Sequence, residues 1–468
     1  MRNIKPTFLL LLFTVLASTE SAAYPIDGYF VTGIRRLLYL HRVQTGEIKG
    51  KMPISGAQRT MDEIQLNLYG TDRADSLRTL PDIDPDLQKD LKRLLPNLDA
   101  SYSLTLLEIT PNKPVRYAAY KEERGYQPGS VGKLAVLTAI FCELENLFPD
   151  SFEKRRALLK NRMVKGGDFA VWDHHSIPVF DTLTNRKVKR QATQKDIFSL
   201  YEWIDHMVSV SNNGAASVVW REAILMREFN QDYLTLTEAE ANKYFEATAR
   251  KKLADMAVSV VHEPLRSLGI TDDEWRLGTM FTRGASSIVP PKGGSVGTPK
   301  ALMKWMLALE RGDINDPETS LEMKRLLYMT DRRIRYAGEK SLRPASVYYK
   351  SGSLYKCDRE KDPDCKKYAG NVYNYMNSVA IVERPDSTVY MVALMTNVLR
   401  RNSAWDHRVL ARKIDQLFPP QEEVLARLEK QERADSLAEV AAARLDSIEL
   451  VREEGVELEV GSSPAVSL

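Results

Sequence analysis

The chain has 468 residues, 43% hydrophobic and 28% charged, with 66 Lys and Arg against 63 Asp and Glu for a net charge of +3. That balance excludes wholesale disorder, which needs fewer apolar residues and more uncompensated charge, and it argues against nucleic-acid binding by bulk charge. The length suggests two or three domains, or one large domain with extensions.

In chain order, residues 1–23 read as a targeting signal. Arg2 and Lys5 form a basic start, Phe8 to Leu16 is a short apolar run, and Ser21-Ala22-Ala23 offers small residues for cleavage. An exported protein, periplasmic or extracellular, is therefore expected, with a retained N-terminal anchor as the alternative. Residues 24–83 form an extension without a motif. Helical spacing of Leu87, Leu91, Leu94 and Leu95 follows, then two β-like stretches, Tyr102 to Ile109 and Val115 to Tyr120, joined by a turn as a hairpin.

A core helix, apolar almost all round, should start near Gly129 and run to Phe148. Residues 150–190 are polar and irregular. Thr193 is a plausible N-cap for the next helical run, after which Ser211-Asn212-Asn213 forms a turn into another helix. Residues 228–262 are charged and helical, and both they and 150–190 look like insertions. Thr298-Pro299 caps a further helix; Val347 to Tyr349, Asn377 to Glu383 and Thr388 to Thr396 are β-like, and Ser403 to Phe418 is helical. Residues 419–468 form an acidic tail with apolar residues in helical spacing, read as a solvated helix, or alternatively as one that docks on a partner.

Three short patterns carry chemistry. Ser130 and Lys133 stand three apart at the start of the core helix, so both side chains can meet on one face, the lysine drawing the hydroxyl proton. The helix N-terminus adds positive potential where an oxyanion would form. Ser211 and Asn213 project from a turn, a hydroxyl able to relay a proton and an amide able to hold a substrate amide. Lys350-Ser351-Gly352 lies on a strand, where 350 and 352 share a face, the cation favours a carboxylate and the glycine leaves the backbone open to a substrate. Other chemistries are poorly matched. The Gly132-Lys133 pair lacks the glycine spacing and Ser/Thr of a phosphate loop, and His174-His175 and His262-Glu263 lack the paired histidines of a zinc hydrolase, so these histidines read as surface residues.

The order S-x-x-K, S-x-N, K-[ST]-G resembles the active-site set of the penicillin-recognising serine enzymes, which include class A β-lactamases and D,D-peptidases, and the likeness runs over roughly residues 84–418. The resemblance implies an α/β (α+β) fold, an antiparallel sheet flanked by helices plus an all-helical subdomain. It implies Ser130 as the acylated nucleophile, Lys133 as its base, and Ser211 as proton shuttle. Asn213, Lys350 and Ser351 would bind substrate beside Gly352, and the backbone N–H groups of Ser130 and Ser353 would form the oxyanion hole. The substrate would be a β-lactam or a peptidoglycan-type peptide, with no cofactor and no metal. A non-catalytic peptidoglycan-binding relative is the alternative from another class.

Two departures matter. Class A enzymes carry a Glu in an E-x-x-L-N loop that activates the deacylating water, and the closest segment here is Glu274-Trp275-Arg276-Leu277-Gly278. Glu274 is thus the candidate base against a plain reading as a helix-start acid, and a D,D-peptidase or penicillin-binding protein with slow deacylation stands beside the β-lactamase reading. Asn212 also replaces the middle Asp of the second motif. Cys357 and Cys365, eight apart in a polar stretch, are expected to form a disulfide with Cys142 a buried free thiol; three unpaired thiols are the alternative.

Overall fold

A five-stranded antiparallel sheet organises the molecule: β1 (Ser103–Glu108), β2 (Arg116–Tyr120), β3 (Ser346–Lys356), β4 (Tyr373–Glu383) and β5 (Val389–Asn397), in the order β2-β1-β5-β4-β3. The computed structural model describes residues 27–420 apart from 172, 329, 331 and 332, together with 426 and 433. The segment read as a targeting signal and nearly all of the acidic tail lie outside the described residues. No helix among the described residues is long and apolar enough to cross a membrane.

Strand periodicity explains the layers. Met391, Ala393 and Met395 of β5 enter one apolar core while Tyr390, Val392 and Leu394 enter the other, and Tyr348 and Tyr349 of β3 divide the same way. Both faces are therefore covered, which is why these strands read as near-continuous apolar runs. The smaller core is closed by α2 (Pro85–Arg93) and α9 (Ala404–Asp415), through Leu87, Leu91, Leu410 and Ile414. The larger core holds α3 (Lys133–Leu147), α4 (Leu200–Val208), α5 (Asn213–Phe229), α6 (Arg250–Ser267), α7 (Pro299–Arg311) and α8 (Pro317–Tyr328).

Several local expectations need correction. Residues 150–190 are not irregular: they form a helix, Phe152–Asn161, and a hairpin of Ser176–Asp181 with Arg186–Gln191. The hairpin was hidden because its second strand, RKVKRQ, is exposed and almost wholly polar. Ser199, not Thr193, caps α4, with Glu202 completing a reciprocal capping box; Thr193 instead donates its N–H to Asp196. The segment 27–83 is packed into the body, since Leu37, Ile64 and Leu68 belong to the larger core and Arg36 of α1 (Arg35–Gln44) pairs with buried Asp205. Cys357 and Cys365 are bridged, and Cys142 is free but only half-buried, its Sγ 2.8 Å from Asn315 Oδ1.

Candidate active site

Ser130 lies in a 3₁₀ turn, Gly129–Gly132, that leads into α3, so the helix proper begins three residues after it. Three residues per turn eclipses positions i and i+3, and Lys133 Nζ accordingly sits 3.0 Å from Ser130 Oγ. The α3 helix is apolar all round and buried, which leaves Lys133 fully enclosed.

The turn before α5 supplies the second wall. Asn212 is the N-cap, its Oδ1 accepting from Ala215 N at 2.7 Å, and this forces Ser211 into the left-handed region at φ 61°. Ser211 and Asn213 then converge on Lys133: Nζ donates to Ser211 O at 2.7 Å and to Asn213 Oδ1 at 2.7 Å, with Ser211 Oγ at 3.3 Å. Two of these partners can only accept, and two are hydroxyls that can also donate. Nζ thus donates to two carbonyl oxygens and stands within hydrogen-bond distance of the Ser130 and Ser211 hydroxyls, with which it can exchange a proton.

Strand β3 closes the third side. It is the edge of the sheet, so the cleft meets it edge-on and Lys350, Ser351 and Ser353 all line it despite their alternation. Lys350 Nζ donates to Ser211 Oγ at 2.8 Å and to Ser351 O at 3.1 Å. Gly352 is needed for a different reason than open access to substrate. A Cβ there would stand 2.4 Å from Pro128 O, 2.7 Å from Val131 N and 3.0 Å from Ser130 N, so glycine lets the strand abut the Ser130 turn. A Cβ on Gly129 would in turn meet Ser353 N at 3.0 Å, which brings the main chains of Ser130 and Ser353 together. These walls enclose a cleft of about 520 Å³.

Glu274 does not reach this cleft. Its carboxylate accepts from Thr271 N at 2.9 Å and pairs with Lys304 at 2.7 Å, in a turn that leads into a short strand, Trp275–Arg276, and not at the helix start of the plain reading. On the Lys133 side the nearby segment is Leu277 to Phe281, which holds no acid, and the Phe281 ring centroid lies 5.2 Å from Lys133 Nζ.

Sequence reasoning missed Asp173, His175 and Arg335. Asp173, with 1% of its side chain exposed, accepts from Asn213 N at 2.6 Å, Asn213 Nδ2 at 3.2 Å and His175 Nδ1 at 2.7 Å. Burial alone would raise its pKa, but the His175 hydrogen bond, the Lys133 charge and the Asn213 N–H outweigh it and hold the carboxyl at about 2. The negative charge absent at Asn212 is thus supplied by Asp173, while Asn212 Nδ2 donates to His175 O at 2.9 Å, a bond an aspartate could not make. His174 and His175 both line the cleft; His174 is exposed as expected, whereas His175 is mostly buried and not the surface residue expected. His262 is also tied inward, its Nε2 accepting from Leu277 N at 2.9 Å. Burial, with Lys133 and His174 nearby, pulls the His175 pKa below its ordinary value, opposed by Asp173. Arg335, buried at φ 54°, donates to Gly352 O at 2.7 Å and adds a cation beside Lys350 on the cleft wall.

Asp173, His174 and His175 also bring possible metal-ligand atoms within 4.8 Å of one another, but both Asp173 oxygens are occupied by Asn213 and His175. The cluster is closed on itself.

The Beta-lactamase enzyme family matches residues 86–414 of the chain. No curated protein matches by sequence. Among solved structures the chain is similar to a PBP-A variant captured as an acyl-enzyme with penicillin G, at 15% identity over 72% of this chain and 99% of that one, TM-score 0.45. The TLA-3 extended-spectrum β-lactamase is 14% identical over 71% of this chain and 97% of its own, TM-score 0.47. A class A β-lactamase from Bacteroides cellulosilyticus is 12% identical over 70% and 95%, TM-score 0.46.

Proposed function

The chain belongs to the β-lactamase enzyme family, and from that premise we propose that it is an exported serine acyl hydrolase that forms an ester on Ser130 with β-lactams or with the cell-wall peptide amides they mimic. The observation that carries this reading is Lys133 Nζ, 3.0 Å from Ser130 Oγ and 2.7 Å from Asn213 Oδ1.

Lys133 takes the Ser130 proton as Oγ attacks the carbonyl carbon. The main-chain N–H groups of Ser130 and Ser353 receive the developing oxyanion, each such donor contributing about 2.7 to 4 kcal/mol in the transition state. Ser211 Oγ, between Lys133 and Lys350 at 3.3 and 2.8 Å, passes a proton to the departing nitrogen. Lys350 and Ser351 hold the substrate carboxylate, with Arg335 adding positive potential from the same wall, and Asn213 keeps one amide hydrogen for the substrate carbonyl. A cleft of about 520 Å³ suits a bicyclic lactam or the end of a peptide.

The engaged Glu274 and the acid-free segment beside Lys133 favour slow clearance of that ester, in the manner of a D,D-peptidase, over fast β-lactam hydrolysis. The hydrogen-bonded Ser130–Lys133 pair favours either enzyme over a non-catalytic binding protein. A fluorescent penicillin tests the reading: the full chain takes up the label, Ser130→Ala takes up none, and a wild-type protein that stays unlabelled contradicts it.

A further inference from the structure

Clearing an ester from Ser130 requires a base for the incoming water, and the usual acid position offers none here. Glu274 is committed to Lys304 and Thr271, Phe281 stands beside Lys133, and Asp173 is enclosed with both oxygens taken. Two imidazoles border the same cleft, and the His174 ring is largely exposed, its Nδ1 3.8 Å from Asp173. His175 lines the cleft alongside Ser130, Ser211 and Asn213, with its ring held by Asp173 and its backbone held on both sides. Nδ1 donates to Asp173 at 2.7 Å, the backbone N–H reaches the same oxygen at 3.2 Å, and the backbone carbonyl accepts from Asn212 at 2.9 Å.

We propose that His175, oriented by Asp173, is the base that activates the water which clears the ester from Ser130. The inference rests on the acyl-enzyme reading above. A carboxylate that holds one imidazole nitrogen as N–H leaves the other as the free base, the logic of any histidine held by an acid. Nδ1 is taken by Asp173, so Nε2 is the ring nitrogen left to act as the base. In the step, Nε2 takes a proton from water as the water oxygen bonds to the ester carbonyl carbon. The tetrahedral adduct collapses with cleavage of the carbon–Oγ bond, and Oγ leaves with the proton that His175 took from water, passed on through solvent and the neutral Lys133 amine beside Oγ. His175 and Lys133 are both left neutral, as they began. One water is consumed, one carboxylic acid is released and the Ser130 hydroxyl is restored, with no oxidant or metal required.

The charged and titratable groups facing His175 are Asp173, Lys133 and His174. Burial together with Lys133 and His174 keeps the ring neutral below its usual pKa, so the base form persists through neutral pH.

The experiment is to load the full chain with penicillin, remove the excess, and follow loss of the ester by intact mass between roughly pH 5 and 8. Wild type, His175→Ala and His175→Gln are compared, the last keeping a donor toward Asp173. The ester on His175→Ala should outlast the wild-type ester by about 100-fold or more, with formation of the ester slowed at least tenfold less than its loss. Wild-type clearance should fall on acidification with a midpoint below 6.5, the ordinary histidine value, and both variants should lose that limb. Added imidazole should restore clearance in His175→Ala. Clearance within about threefold of wild type in both variants would overturn the proposal, as would a wild-type ester that never clears. A wild-type chain that forms no ester would instead overturn the acyl-enzyme reading itself.

Discussion

At the residue scale, the site is a set of short-range patterns joined by a few long-range contacts. Ser130 and Lys133, Ser211 and Asn213, and Lys350 with Ser351 were legible because each group lies within one turn or one strand. Asp173 and His175 were not, since they reach the second motif from 40 and 37 residues away and no local spacing marks them. Gly352 is the position where chain conformation and chemistry meet most directly. A methyl group at 2.4 Å from Pro128 O must push β3 from the Ser130 turn, moving Lys350 and the Ser353 amide with it. Gly352→Ala should therefore lower the rate of penicillin labelling by about 100-fold and stability by about 1 to 3 kcal/mol. A labelling time course and a urea melt measure both. Full-speed labelling would mean the strand is not held against the turn.

Elements were legible where periodicity is strong. The β1–β2 hairpin, the buried α3 and the Thr298-capped α7 all follow from apolar spacing and caps. The Ser176–Asp181 hairpin did not, because a strand with one polar exposed partner carries no alternation to read. Helix α9 shows what an element can hide. His407 is fully buried against β5, with Nε2 3.3 Å from Thr396 Oγ1 and the Tyr102 ring nearby, and burial lowers its pKa to about 3. A depressed histidine stabilises the fold above its unfolded value of 6.5, and that stability is lost as pH falls toward the folded value, because only the unfolded chain binds the proton. His206, His175 and His262 shift the same way, so the acid limb is shared. His407 alone should account for about 2 kcal/mol of the stability lost between pH 6.5 and 5. In His407→Leu the urea midpoint should vary less steeply across that window. An unchanged slope would show that the ring titrates normally.

At the scale of the whole molecule, length left open two or three domains or one large domain with extensions, and residues 27–83 pack into the same body that carries the three motifs. Arg35 and Arg36 pair with Glu202 and Asp205, and Asn67 donates to both Glu310 and Glu383, where fully buried Lys324 bridges the same two acids at 2.7 Å each. Those partners were invisible in sequence because charged residues in an unpatterned segment read as surface. Arg36→Ala should cost about 3 to 5 kcal/mol, since it leaves Asp205 buried without its cation. A chain beginning at Asp84 should fail to give a cooperative melt for the same reason, whereas a truncated chain that melts cooperatively and takes up penicillin would make the segment a separate appendage. The account as a whole stands on covalent chemistry at Ser130. Its most direct test is the intact mass of the full chain after brief exposure to penicillin, followed by peptide mapping. The expected result is a gain of one whole penicillin, carried on the peptide containing Ser130; no gain in mass, or an adduct on another residue, would contradict it.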